Sequence, residues 1–184
     1  MRLFTGISIP PEVRKNLERL LLKLRPTADL RWSRTENLHV TTKFIGEWPE
    51  DDVNDLIDTL DDLPPVGEIP IAIRGLGWFP NPHAPRVFWT GIEAPPALAE
   101  LARLTDQALA TKGIAAETKK YAPHLTLGRV NPGTPLPALQ QAVAALDSTE
   151  FGSFKADHFH LYLSETGPNG LKYIRLADFP LEAV

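Results

Sequence analysis

One short motif is written twice in this chain, and the interval between its copies limits the fold more than any other feature. His39-Val40-Thr41 returns as His124-Leu125-Thr126, 85 residues later. With five His in the chain, either copy alone carries little weight. The interval holds elsewhere, however. Phe4-Thr5-Gly6-Ile7-Ser8-Ile9-Pro10-Pro11 lies over Trp89-Thr90-Gly91-Ile92-Glu93-Ala94-Pro95-Pro96, with Thr, Gly, Ile, Pro and Pro shared. The chain therefore reads as an internal duplication, with one His-x-Thr in each half.

Each half spells the same series of elements. Residues 2–9 are β-branched and aromatic enough for a strand. Pro11 suits a first helical position. Val13, Leu17, Leu20, Leu21 and Leu24 then fall on one helical face, and Pro26 ends the helix. Strands are expected over 30–34, over 38–45 with the first motif, and over 68–74. Pro49 and the acids after it open a helix striped by Val53, Leu56, Ile57 and Leu60. The second half repeats this. It has a strand over 86–92, a helix over 96–112 closed by Gly113 and a short strand over 114–118. The motif strand over 122–130, a helix over 135–146 and a strand over 154–164 follow. A turn at 167–170 leads to a last hairpin strand over 171–179, and residues 75–85 read as a lobe connection or a loop at the edge of the site.

The fold expected is α+β and bilobal. Two β-α-β-β-α-β repeats are related by a pseudo-twofold, with antiparallel sheets facing a central cleft and helices outside. One domain, 1–184, holds two lobes, about 1–75 and about 86–164, with the C-terminal hairpin strand running to 184.

Composition excludes more than it assigns. The absence of Cys removes disulfides and thiolate metal sites. No apolar run approaches the length of a membrane span, and the alternating opening is too short for a signal peptide, so a cytoplasmic, monomeric protein is expected. The net charge of −4 argues against a grip on long duplex nucleic acid. A strand end, met by a small locally basic footprint, fits better.

On a strand, residues i and i+2 share a face. His39, Thr41 and Lys43 should therefore line one face, as should His124 and Thr126, with Val40, Thr42 and Phe44 opposite. Two imidazoles across a cleft suit proton transfer in both directions, one neutral and one protonated, near neutral pH. Thr hydroxyls beside them can hold the non-bridging oxygens of a phosphate. No cluster of carboxylates accompanies the pair, which points to phosphodiester cleavage without metal or other cofactor.

With these motifs the sequence resembles the 2H phosphoesterases, and more closely their RNA 2′,3′-cyclic phosphodiesterase or 2′-5′ RNA ligase branch. The resemblance covers nearly the whole chain. It rests on Arg2-Leu3-Phe4, on 38–46 around the first motif, on 85–92, on Pro123 to Arg129, and on 161–164 with Gly170 and Tyr173. It implies opening of a 2′,3′-cyclic phosphate to a 2′-phosphate at an RNA 3′ end or nucleotide. It further implies His124 as general base, His39 as general acid, Thr41 and Thr126 as phosphate ligands, and reversible 2′-5′ ligation. The spacing itself leaves the two His roles interchangeable.

Further contacts are read from position. Arg129 would bind phosphate only if a bulge or strand end turned it to the His face. Lys43, Tyr121 and Phe79 are the other candidates for substrate contact. His158-Phe159-His160 has a metal-binding spacing but no evident third ligand. Two rival readings stand beside RNA-end hydrolysis. One is a phosphoesterase acting on a small nucleotide, such as an ADP-ribose cyclic phosphate or a 2′-5′ oligoadenylate. The other is a non-catalytic RNA- or nucleotide-binding module.

Overall fold

The structure is a computed structural model in which residues 1–183 are described; Val184, the end of the expected hairpin lobe, lies outside them. Nine strands and four helices are described. The first half holds β1 (Arg2–Ser8), α1 (Pro11–Leu24), β2 (Arg31–Trp32), β3 (His39–Glu47), α2 (Val53–Asp61) and β4 (Ile69–Phe79). The second holds β5 (Val87–Glu93), α3 (Pro96–Ala110), β6 (His124–Arg129), α4 (Pro137–Ala144), β7 (Glu150–Ala156), β8 (His158–Gly167) and β9 (Gly170–Pro180). Among the described residues, no helix is long and apolar enough to cross a membrane.

Two antiparallel sheets result, ordered β3-β1-β8-β9 and β2-β6-β5-β4-β7. The α+β architecture with two sheets is thus as read, but the repeats are not the lobes. Each half gives strands to the other's sheet: β2 and β4 pair with β6 and β5, while β8 pairs with β1 and carries β9 with it. Helices cross over too. α1 leaves the four-stranded sheet and packs on β7 and α4, while α3 packs on β3 and α2. A division near residues 75 and 86 therefore cuts both sheets. One continuous apolar core joins them, with Val13, Leu17, Leu20, Leu21 and Leu24 of α1 all buried.

Four local expectations change. β4 continues through Gly75 to Phe79, so the first five residues of the supposed linker are strand. Gly75 permits this by taking φ 81° at an irregularity in the ladder. Residues 114–118 form no strand; their Ala115 carbonyl and Glu117 carboxylate serve the Lys43 ammonium instead. The strand expected over 154–164 is two strands, broken at Asp157, where the chain passes from one sheet to the other. The repeat is also slipped. Ser8 stands opposite His39, but Gly91, not Glu93, stands opposite His124. A two-residue slip preserves the faces, so both motifs still point the same way relative to their sheets.

Candidate active site

β3 and β6 lie side by side in space although they belong to different sheets. Tyr121, just before the second motif, donates its hydroxyl to the Thr41 carbonyl at 2.7 Å. Burial pushes that phenol well above its ordinary value, so it stays a donor. Tyr121 thus ties one motif to the other.

Both imidazoles are clamped alike. His39 Nδ1 donates to the Asn37 carbonyl at 2.8 Å, and His124 Nδ1 to the Ala122 carbonyl at 3.0 Å. A carbonyl can only accept, so Nδ1 carries the proton and Nε2 is the free base in each neutral ring. Thr41 Oγ1 meets His39 Nε2 at 3.1 Å.

Their surroundings differ. His39 sits among rings: Phe4 stacks on it at 4.5 Å and Tyr173 meets it edge-on at 4.9 Å. Its ring also lies over Gly6, where a Cβ would fall 3.3 Å from His39 Cδ2 and 2.8 Å from the Val40 carbonyl oxygen. Burial lowers the His39 pKa from 6.5 to about 4; the Asn37 carbonyl opposes this and the Arg14 cation adds to it. His124 has Phe79 edge-on at 5.0 Å and, among the described residues, no second ring packed on it.

A bulge then decides which neighbours join the site. Thr41 pairs with Gly6 and Lys43 with Thr5, so Thr42 is an extra residue in β3. Thr126 pairs with Trp89 and Gly128 with Phe88, so Leu127 is the extra residue in β6. Beyond each bulge the alternation reverses. Lys43, expected on the His face, is turned beneath the sheet and is 3% exposed. Its ammonium reaches Asp106 at 2.7 Å, the Ala115 carbonyl at 2.8 Å and Glu117 at 3.2 Å, where it serves structure. Phe44, expected in the core, is 69% exposed on the cleft face, opposite Phe4. Arg129 is exposed on the cleft face of β6, and its charge reaches Tyr173, the ring beside His39.

Phe79 is 39% exposed and lies against both Trp89 and His124. Trp89 itself is laid flat on Gly77, where any Cβ would collide with the indole. Phe44, the Phe4–Tyr162–Tyr173 cage and Arg14 are the site neighbours that position alone did not bring forward. The bulge hides Phe44, and Arg14 reads as an ordinary helix-surface cation. Among the described residues no group of three or more His, Asp or Glu is placed to hold a metal ion.

Comparison with known proteins follows the same division of the chain. A sequence model of the LigT-like phosphoesterases matches residues 7–89 and again 92–173. A Methanothermobacter thermautotrophicus protein named RNA 2′,3′-cyclic phosphodiesterase is 33% identical, over 98% of this chain and 99% of its own length. One of the same name from Methanocaldococcus jannaschii is 32% identical, over 94% and 96%. Among solved structures, a Thermus thermophilus protein superposes with a TM-score of 0.80 at 29% identity, over 99% of this chain and 98% of its own. E. coli LigT complexed with 3′-AMP has the same fold, with a TM-score of 0.79 at 23% identity and the same coverage.

Proposed function

Because the chain belongs to the LigT-like phosphoesterase family, we propose that it opens 2′,3′-cyclic phosphates at RNA 3′ ends. The product is the 2′-phosphate, and two imidazoles do the proton transfers without a metal. The names borne by its relatives support the substrate class. One observation carries the mechanism: both motif His have Nδ1 tied to a backbone carbonyl, which makes Nε2 the basic nitrogen of each ring, on two strands joined by the Tyr121–Thr41 bond.

In this reading the cyclic phosphate lies between the imidazoles, its non-bridging oxygens on Thr41 and Thr126. Arg129 adds a cation, worth most in a site screened from water. His124 Nε2 takes a proton from water as the oxygen attacks phosphorus. The bond to the 3′-oxygen breaks, and His39 delivers a proton to that oxygen. The same steps with a 5′-hydroxyl in place of water give a 2′-5′ linkage, and their reversal cleaves it. Phe44 and Phe79 offer exposed rings on which bases can stack.

The acid role of His39 has a consequence. At rest that ring is neutral at pH 7, because burial penalises its cation. A bound phosphodiester anion offsets that penalty, so the proton arrives with the substrate. Titration of the His124→Ala variant, which lacks the base for turnover, with adenosine 2′,3′-cyclic phosphate at pH 7, in buffers of different ionisation enthalpy, should show net proton uptake that adding His39→Ala removes. Binding without uptake would reverse the two roles.

The activity test uses a short RNA ending in a 2′,3′-cyclic phosphate, in excess EDTA. The expected product is the 2′-phosphate. A 3′-phosphate product, or activity lost to EDTA and restored by a divalent ion, would overturn the mechanism. Binding without turnover would favour the binding module.

A further inference from the structure

A second polar cavity opens on the same sheet face as His39, and nothing in the two-His chemistry uses it. It has a volume of about 310 Å³. Ser8, His158, His160, Arg175 and Asp178 line it from the four-stranded sheet, and Lys155 and Asp157 from the end of β7. Its relation to the first motif follows from strand register. Thr41, Gly6, His160 and Asp178 stand abreast across four strands. Residues directly opposite in antiparallel strands point to one face. Gly6 carries no side chain, so no Cβ stands between the Thr41 side and the His160 side. With strands about 4.8 Å apart, the two are about 10 Å apart at the backbone.

The groups in the cavity are held ready. His160 is 5% exposed, and its Nδ1 lies 2.7 Å from an Asp178 carboxylate oxygen. That contact leaves Nε2 for the cavity that the ring lines. His158 repeats the arrangement, with Nδ1 2.9 Å from Asp157 and a ring nearly parallel to that of His160. Arg175 Nε lies 3.6 Å from the same Asp178, which steadies the guanidinium while leaving other N–H groups of its fork unused by that contact. Lys155 adds a second cation at the rim. The two carboxylates thus act as holders of the His and Arg donors. A metal would need a third ligand, and no such set is present among the described residues.

We propose that this cavity binds a second phosphate of the substrate, the phosphodiester joining the terminal nucleotide to the one before it, through Arg175, Lys155 and His160. The proposal rests on the reading of the two-His site as the place of the cyclic phosphate. It makes the preferred substrate a chain end rather than a mononucleotide. A protein of net charge −4 needs such a local cationic footprint to hold a polyanion at all.

The test is a binding measurement, so it does not depend on turnover. Three probes are titrated into the protein: adenosine 2′-phosphate, adenosine 2′,5′-bisphosphate, and the dinucleotide ApA carrying a 2′-phosphate. The dinucleotide should bind at least about tenfold tighter than adenosine 2′-phosphate. Arg175→Ala and Lys155→Ala should each remove most of that margin and leave adenosine 2′-phosphate unchanged. Both side chains are on the surface, and unchanged binding of the mononucleotide certifies folding. A dinucleotide that binds no tighter, or variants that weaken all three probes equally, would overturn the proposal. An equal gain from the bisphosphate, lost in the same two variants, supports the proposal, because its 5′-phosphate stands where the joining phosphodiester would. Failure of the two-His reading looks different: wild type binds the dinucleotide with the full margin yet leaves cyclic ends intact.

Discussion

The two motif strands carry the same three-residue pattern, the same carbonyl clamp and the same bulge, yet they present unlike imidazoles. In β3, His39 is enclosed by Phe4, Tyr162 and Tyr173 and rests as a neutral base. In β6, His124 has one ring at its edge. The position after each bulge diverges further. Lys43 drives a charge beneath one sheet, whereas Gly128 leaves that space to Leu30 and Trp32. One step on, Phe44 gives the cleft an apolar ring where Arg129 gives it a cation. The duplication supplies two imidazoles held alike. Each copy's surroundings then set its ring apart from the other.

The largest test of this contrast is functional. His39→Ala and His124→Ala should each lower turnover of a cyclic-phosphate RNA by about 10²–10⁴-fold, the range of positioned acid–base groups. Retention of near-normal turnover by either variant would break the pairing of the two motifs.

The second concerns pH and stability. The unfolded chain binds a proton at His39 near pH 6.5, whereas the folded protein refuses it until about 4. The unfolded state therefore holds more protons across that window, and stability falls as pH drops from 6.5 to 4. The single-site contribution is on the order of 3 kcal/mol. Urea unfolding at stepped pH should show it, and His39→Leu should flatten that part of the profile. An unchanged profile would mean that the aromatic cage does not hold the ring neutral.

The third compares the residues past the bulges. Lys43→Met should cost about 1–3 kcal/mol of stability, because Asp106 loses its partner at a largely covered position. Arg129→Ala should leave the melting temperature within about 2 °C and lower kcat/KM about 10- to 100-fold. Interchanged outcomes would mean that the bulges do not reverse the faces. The smallest effect belongs to Tyr121→Phe. Loss of one hydrogen bond between the motif strands should cost about 1 kcal/mol. Turnover should fall by less than in the Arg129 variant.

Much of the fold could be read without coordinates because it depends on local pattern. The buried face of α1 follows from the spacing of five apolar residues, and Gly113 closes α3 with φ 83°. The motif His and Thr were legible as well. A 2.0-residue period fixes their common face, and the 85-residue interval marks the copy. Three things needed the tertiary structure. Which sheet each strand joins depends on partners far along the chain, so the exchange of β4 and β8 and the break at Asp157 leave no local trace. The bulges at Thr42 and Leu127 depend on ladder register. They moved Lys43 out of the site and brought Phe44 and Arg129 to the cleft face. The protonation of His39 depends on burial among rings drawn from β1, β8 and β9. The sequence by itself determined the candidate reacting groups and their pairing, because short-range geometry sets them. Tertiary structure decided their environment, because burial and register are long-range properties.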